Sequence, residues 1–179
     1  RLLDRMALSI VRQFKGAKID EVLAVDSKYE MARALAEKVA AGLGVPLGST
    51  IEKESDPKKI DWDFKEFERW VRDDAPRSAQ AAGKSLEDYI NGTLQGLDGV
   101  DLKQVAGAIK KGRKPSIARD IPQNRRRFWN FFKKMQASDA PKRVLVVDDN
   151  VASGWTSLHA AKRLRDAGLE PFFAVGYVW

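Results

Sequence analysis

Four consecutive apolar residues, Val144–Val147, lie between two basic and two acidic residues near the end of the chain. Three of the four are β-branched, and a short apolar run with charged ends is typical of a strand that is buried on both faces. Such a strand lies inside a parallel sheet that helices cover on both sides. This run therefore limits the fold more than any other segment does.

The residues after this run predict a parallel crossover. Residues 155–167 predict a helix in which Leu158, Ala161 and Leu164 face inward, and a glycine follows as the helix end. Residues 172–178 predict another strand. A strand, a helix and a strand with short connections form a right-handed parallel unit, so the sequence predicts the α/β class.

The first fifty residues predict a similar alternation. Residues 1–15 carry apolar side chains on one helical face, and residues 29–42 predict a second helix that ends at nearby glycines. The apolar run Val22–Val25 predicts a buried strand, and Val45–Ile51 is the candidate for a second strand. The beginning of the chain therefore has the same helix and strand pattern as its end.

The middle of the chain predicts mainly helices. Apolar residues between 60 and 71, and again between 86 and 94, recur at helical spacing. The other segments are predicted as a loop at 91–100, a short helix at 101–110, an exposed loop at 112–124 and a basic, aromatic-rich helix at 125–135. We therefore predict an α/β core of residues 1–51 and 142–179, and a mainly helical insertion of residues 52–141 that serves as a hood or a partner surface.

Composition excludes several classes of site. The 179 residues include no cysteine and one histidine, which excludes disulfides, thiolate metal sites and sites with two histidines. For His159 we predict a packing or surface role. No apolar run approaches the roughly 20 residues of a membrane span, so we expect no membrane partner and a cytoplasmic location.

The positive charge is concentrated in one segment. Residues 101–143 hold thirteen basic and three acidic residues, a balance of +10, which leaves −3 for the rest of a chain whose formal charge is +7. Such a segment suits an anionic partner, and it also suits a solvated basic surface. The charge alone does not separate these two interpretations.

Residues 110–134 combine this charge with four aromatic residues, and three interpretations stay open. In the first interpretation the segment is a partner surface: aromatic rings among cations suit single-stranded nucleic acid, and a protein is the other candidate partner. The same residues also suit a mobile basic loop that closes over an anionic substrate. The third interpretation is an amphipathic helix with Phe128, Phe131 and Phe132 buried.

The predicted strand leads into the segment with the clearest chemistry. Asp148 and Asp149 follow the strand, a short loop with hydroxyl side chains comes next, and a helix then begins. Ligands of open α/β sheets bind at this edge, and a helix N-terminus favours anions. The two acids can accept hydrogen bonds from vicinal hydroxyls or hold Mg²⁺, and the anion site lies beside them. A ribose 5-phosphate has both kinds of group, because it carries vicinal hydroxyls and a phosphate.

Two other interpretations apply to the same residues. The acidic cluster also resembles that of receiver domains, but those place most of their fold after this strand, and only 29 residues follow Asn150. Alternatively, Asp and Asn shape a turn and Ser153 caps the next helix.

The stretch 144–157 resembles the phosphoribosyl-pyrophosphate (PRPP) motif of type I phosphoribosyltransferases: four apolar residues, two acids, four residues, Gly, any residue and Thr. The resemblance implies that Asp148 and Asp149 bind the ribose hydroxyls. It implies that the 5-phosphate is held by Ala152, Ser153, Gly154, Trp155, Thr156 and Ser157. Family branches that act on 6-oxopurines have an acid at the position of Ala152, which argues against hypoxanthine and guanine as acceptors.

A second family landmark, the pyrophosphate loop, is similar in placement to residues after the first predicted strand. By that resemblance the loop consists of Asp26, Ser27, Lys28 and Tyr29, with Lys28 facing the pyrophosphate. The implied cofactor is Mg²⁺, which arrives with PRPP and is held through the substrate, with Asp148 and Asp149 as further candidate ligands.

The resemblance implies a Mg²⁺-dependent phosphoribosyltransferase of nucleotide metabolism that transfers 5-phosphoribosyl to a nitrogenous acceptor and releases pyrophosphate. A basic loop that neutralises the pyrophosphate would consist of Arg119, Arg125, Arg126 and Arg127. The alternative is a non-catalytic module that binds PRPP or a nucleotide, while its basic insertion binds nucleic acid or a protein. The oligomeric state stays open, a homodimer included.

Overall fold

A computed structural model describes residues 2–26, 30–95, 100–113, 116–140, 142–149 and 154–176. The chain divides into two compact units. The first, which we call the sheet unit, consists of residues 1–53 and 132–179. The second, which we call the helical unit, consists of residues 54–131. Within the described ranges, no helix is both long enough and apolar enough to cross a membrane.

Among its described residues, the sheet unit has three strands and three helices. They are α1 (Leu2–Phe14), β1 (Glu21–Ala24), α2 (Met31–Leu43), β4 (Lys142–Asp148), α8 (Trp155–Asp166) and β5 (Leu169–Val175). The helical unit holds β2 (Asp61–Trp62), α3 (Phe64–Asp73), α4 (Ala75–Ala81), α5 (Leu86–Leu94), α6 (Val100–Lys110), α7 (Ile117–Asp120) and β3 (Trp129–Asn130). It also has a 3₁₀ turn at Pro57–Lys59 and a 3₁₀ helix at Gln123–Phe128.

The three strands of the sheet unit form a parallel sheet in the order β1-β4-β5. Strand β4 is central, with Val147 paired to Ala24 on one side and to Ala174 on the other. The predicted parallel crossover between β4 and β5 is therefore confirmed, and the chain is α/β with a parallel sheet and a large helical fraction.

The apolar run in β4 is buried on both faces, as predicted. Leu145 and Val147 pack in the cluster that includes side chains of α1 and α2. Val144 and Val146 pack in a second cluster with Ala160 and Leu164 of α8. Because successive side chains of a strand point to opposite faces, four consecutive apolar residues require helices on both sides of the sheet.

Three predictions in the sheet unit need correction. Residues 45–51 do not form a continuous strand, and they meet β1 only through two isolated parallel bridges, from Leu47 to Val22 and from Ile51 to Val25.

In α8, Leu158 is exposed rather than inward. The buried face of α8 instead includes Arg163, whose Nε donates to the carbonyl of Phe132 at 2.8 Å. Strand β5 also begins earlier than predicted, at Leu169.

The helical unit has an aromatic core. Phe128 is fully buried, and its ring lies 5.0 Å from that of Trp62 and 5.4 Å from those of Phe67 and Trp70, between centroids. The helices predicted over 86–94 and 101–110 are confirmed as α5 and α6. Aromatic rings of this size bury large apolar areas and favour such tilted and edge-on contacts.

The predicted helix over 125–135 is wrong. The segment is a 3₁₀ helix that ends at Phe128 and is followed by the short strand β3, in which Trp129 pairs with Trp62. All four aromatic side chains between 128 and 132 are buried, including Phe131 and Phe132. Pairing with a distant strand outweighs the local preference for helix, and a single helical face cannot bury residues at consecutive positions.

Three further boundaries differ from the sequence predictions. The helix expected from residue 60 begins at Phe64, because the Asp63 carboxylate accepts from the Glu66 amide and caps it. The expected loop at 91–100 begins with the last turn of α5, and α4 was not predicted at all. The expected exposed loop at 112–124 contains α7 and the buried Ile121.

The helical glycine Gly92 gives a stability prediction. It is exposed in α5, and a Cβ at this position would meet no atom within 4 Å. Gly92→Ala is therefore expected to stabilise the helical unit by about 0.5–1 kcal/mol, because alanine loses less backbone entropy in a helix. Urea unfolding monitored by tryptophan fluorescence checks this, and a lower midpoint would contradict the exposed helical position of Gly92.

Candidate functional site

Three strand ends converge at the carboxyl edge of the parallel sheet. The Val25 amide donates to the carbonyl of Val147 at 3.1 Å, and the Gly176 amide donates to the carbonyl of Asp148 at 3.0 Å. Asp26, the next residue after Val25, donates its amide to the carbonyl of Ile51 at 3.0 Å. The segment after β1 and the acidic pair after β4 therefore leave the sheet at the same edge.

The two acids of the predicted PRPP motif have different environments. Asp148 is the last residue of β4 and is only 5% exposed, whereas Asp149 is half-buried just beyond the strand. A half-buried carboxylate at the end of a rigid strand is open to a ligand and positioned by the sheet. Carboxylate oxygens are the atoms that ribose hydroxyls and Mg²⁺ both bind.

Helix α8 begins at the same edge. Gly154 precedes the helix with φ 73°, a left-handed conformation that glycine adopts without strain. Trp155, Thr156 and Ser157 form the first turn and are half-buried. The first amides of a helix have no partner within the helix, so this turn suits an anion. Ala152 and Ser153, which complete the predicted phosphate loop, lie outside the described residues.

The β1–α2 connection also ends in an unusual backbone conformation. Glu30 precedes α2 with φ 54°, although it is not a glycine. Left-handed backbone at a non-glycine residue costs free energy and is often found at ligand-binding positions. Asp26 is half-buried at the start of this connection. Ser27, Lys28 and Tyr29, the rest of the predicted pyrophosphate loop, lie outside the described residues.

The site has the donor set that Mg²⁺ uses with phosphate substrates. Magnesium in such sites takes one or two protein carboxylates together with substrate phosphates and water. Asp148 and Asp149 supply two carboxylates, so the residues present fit the ion. Among the described residues, no cluster of three or more His, Cys, Asp or Glu side chains forms a metal cage.

The arginines predicted for a basic loop lie in the helical unit, where Arg125 and Arg127 form ion pairs with acids that are distant in sequence. Arg125 donates from Nε and Nη2 to the Asp101 carboxylate at 2.8 and 2.9 Å. Arg127 pairs with both Glu66 and Asp74. Burial lowers the pKa of the Arg127 guanidinium, but hydrogen bonds to these two acids outweigh burial and raise it overall. These charges are therefore largely used within the unit.

The other two predicted arginines have local partners. The Arg126 Nε donates to the carbonyl of Ile121 at 2.9 Å, and Arg119 lies 3.3 Å from the Asp120 carboxylate. The sequence predictions did not include this network, although one signal was present. Asp101 and Asp120 are two of only three acids in a strongly basic segment, and both are buried.

His159 is buried in α8, in agreement with the predicted packing role. Its ring lies 6.0 Å from that of Trp155 in an edge-on arrangement, between centroids. The histidine therefore supports the first turn of α8 from within the sheet unit.

Comparison of the chain with protein-family models, with curated proteins and with solved structures found no match.

Proposed function

We propose that the sheet unit binds PRPP with Mg²⁺ and transfers its 5-phosphoribosyl group to a nitrogenous base, in a fold of the type I phosphoribosyltransferase kind. One observation carries the proposal. The central strand of a parallel sheet, buried on both faces, ends at Asp148, and Asp149 follows it directly. A helix begins six residues after Asp149, preceded by a left-handed glycine. The proposed anion site and the acids proposed to bind the ribose hydroxyls therefore belong to the same short connection between β4 and α8.

The proposed binding mode assigns each end of the ribose to a different part of this connection. The first turn of α8 binds the 5-phosphate through its backbone amides and the hydroxyls of Thr156 and Ser157. Asp148 and Asp149 accept hydrogen bonds from the ribose hydroxyls. Lys28 and the β1–α2 connection bind the pyrophosphate. When bound, Mg²⁺ supplies positive charge to the departing pyrophosphate.

In the proposed reaction, the bond from the anomeric carbon to the pyrophosphate oxygen breaks and a bond to the acceptor nitrogen forms. The leaving pyrophosphate takes the bonding electron pair, and the acceptor nitrogen loses its proton to solvent. The ribose ring gains positive charge in the transition state. Catalysis therefore consists of positioning, together with carboxylates that remain close to a developing cation.

A second candidate function is a non-catalytic module that binds PRPP or a nucleotide. The internal ion pairs of Arg125 and Arg127 favour it, because a loop that neutralises pyrophosphate needs cations that are not already used. Pyrophosphate release separates the two functions. A screen with adenine, uracil and other bases yields pyrophosphate if the protein is a transferase, and none if it only binds.

Binding is tested by thermal unfolding of the full chain with and without millimolar PRPP and Mg²⁺. A ligand at 100 times its Kd adds about 2.7 kcal/mol, which raises the Tm of a protein of this size by roughly 5–10 °C. The variant Asp148→Asn/Asp149→Asn is expected to lose this increase, because neutral amides no longer attract Mg²⁺ or accept strongly from ribose hydroxyls.

The matched control is Asp139→Asn, an exposed acid in the same unit, which should keep the full increase. If the double variant unfolds without ligand, Asp149→Asn alone replaces it, since Asp149 is the more exposed of the two. The proposal is wrong if PRPP with Mg²⁺ does not stabilise the parent, or if the acidic-site variants are stabilised as much as Asp139→Asn.

A further inference from the structure

Helix α6 of the helical unit presents basic side chains to solvent on one face. Lys103 and Lys110 lie seven residues apart, about two helical turns, and Gly107 lies between them on the same face. Lys111 follows directly after the helix. These three lysines, which we call the α6 lysine face, are exposed and form no ion pair within the described part of the chain.

The single acid of α6 does not offset this charge at the surface. Asp101 is completely buried and accepts hydrogen bonds from Arg125 and, at 3.2 Å, from the Trp129 indole. Val105 and Ala108 are also buried beneath the helix. The acid and the apolar side chains therefore fix α6 to its own unit, and the lysines remain outside.

Neighbouring turns add to the positive surface. The 3₁₀ turn Pro57–Lys59 packs against α6 and carries the exposed Lys58 and Lys59. Arg113, beyond the helix, is also exposed, but it pairs with the Asp120 carboxylate at 3.6 Å, so its charge is partly offset. Lys103 is in the first turn of α6, where the helix dipole disfavours a cation, so helix stability does not account for it.

We propose that the α6 lysine face binds the phosphate backbone of nucleic acid. The backbone is a regular array of single negative charges, and exposed lysines bind phosphates as mobile point charges. This surface is distinct from Arg125–Arg127, whose side chains lie within the unit. Binding is therefore expected to be independent of base sequence and strongly dependent on salt.

The composition of the face argues against other anionic partners. A helix that lies on a membrane exposes an apolar face beside its basic one, but the apolar side chains of α6 from Leu102 to Ile109 are buried or half-buried. Interfaces with proteins are centred on aromatic or apolar anchors and are depleted in lysine. A surface of lysines around a glycine offers charge alone, and charge is the main source of affinity for a phosphate backbone.

The test is fluorescence anisotropy of labelled single-stranded and duplex oligonucleotides, titrated with the full chain between 50 and 200 mM NaCl. The variant Lys103→Gln/Lys110→Gln/Lys111→Gln is expected to weaken binding at least about tenfold at low salt. For the single strand, the slope of log K against log salt should become shallower by about 2, because three phosphate contacts are lost.

The matched control is Lys15→Gln/Lys18→Gln/Lys84→Gln, which removes the same charge from exposed positions outside α6. Circular dichroism and Tm confirm that both variants fold. Support comes from a loss that is confined to the α6 variant. Phosphatidylserine vesicles and polyglutamate are titrated in parallel as other anionic partners. The proposal is overturned if the parent binds neither oligonucleotide at 50 mM NaCl, or if it binds only the vesicles or polyglutamate. It is also overturned if both variants lose affinity equally.

Discussion

Replacing Phe128 with alanine is expected to lower the free energy of unfolding of the helical unit by about 3–5 kcal/mol. The ring is fully buried and packs against three other aromatic rings at centroid distances of 5.0 to 5.4 Å. The substitution removes these contacts and leaves a cavity, because the neighbouring rings are large and rigid and relax only in part. Each lost aromatic pair adds to the cost of the lost burial.

Tryptophan fluorescence during urea unfolding measures this loss of stability, because Trp62 and Trp70 belong to the same apolar cluster as Phe128. Phe64→Ala is the matched control. It makes the same chemical change on α3 of the same unit, but the Phe64 ring is 61% exposed, and its loss should change stability by less than about 0.5 kcal/mol. Equal effects of the two substitutions would contradict the assignment of Phe128 to the core.

Asp101→Ala is expected to destabilise the helical unit by about 3–5 kcal/mol, since it leaves a largely buried guanidinium without its anion. The Arg125 side chain is 13% exposed, and two hydrogen bonds join its guanidinium to the Asp101 carboxylate. The Trp129 indole loses its acceptor as well. Urea unfolding of Asp101→Ala against the parent measures the loss.

The double variant Asp101→Leu/Arg125→Met distinguishes an unpaired charge from lost packing. Removing both charges should restore much of the stability, because a buried ion pair often contributes little beyond an apolar pair of similar volume. Asp73→Ala is the exposed control. The Asp73 carboxylate accepts hydrogen bonds from Nε and Nη2 of Arg72, at 2.7 and 3.1 Å, as Asp101 does from Arg125. Because this pair is exposed, its loss should leave the urea midpoint of unfolding nearly unchanged. A double variant no more stable than Asp101→Ala would contradict this explanation.

The sheet unit was the more predictable part of the fold. Its strands and helices follow from local patterns: four apolar residues in β4, helical spacing in α1 and α2, and a left-handed glycine at Gly44 that ends α2. Residues 45–51 were expected to form a second strand, yet they make only two bridges to β1. Pro46 has no amide hydrogen to donate to a neighbouring strand and Gly48 has no side chain to pack, and both weaken continuous pairing.

The helical unit was less predictable because its structure depends on contacts between distant residues. Residues 125–135 have the composition of an amphipathic helix, but Trp129 pairs with Trp62, which is 67 positions earlier in the chain. The Arg127 side chain binds Glu66 and Asp74, which are more than fifty positions away. Periodicity in a single sequence carries no information about such pairings, so the segment was predicted as a basic, aromatic-rich helix.

The candidate site was predictable in its placement and less so in its details. The order of strand, two acids and helix fixes the carboxyl edge of the sheet as the position of Asp148 and Asp149. Their different burial depends on neighbouring elements and could not be derived from spacing. The basic segment was correctly identified as charged, but the sequence did not show that Arg125 and Arg127 are paired internally while the lysines of α6 are exposed.

The most direct test of the central claim is amide hydrogen exchange of the full chain with and without PRPP and Mg²⁺. Bound ligand slows the opening of the backbone that contacts it, so exchange locates a site without assuming turnover. The proposed function predicts slower exchange in peptides that span the β4–α8 and β1–α2 connections. Unchanged exchange at both connections, or slowing confined to the amino edge of the sheet, would contradict it.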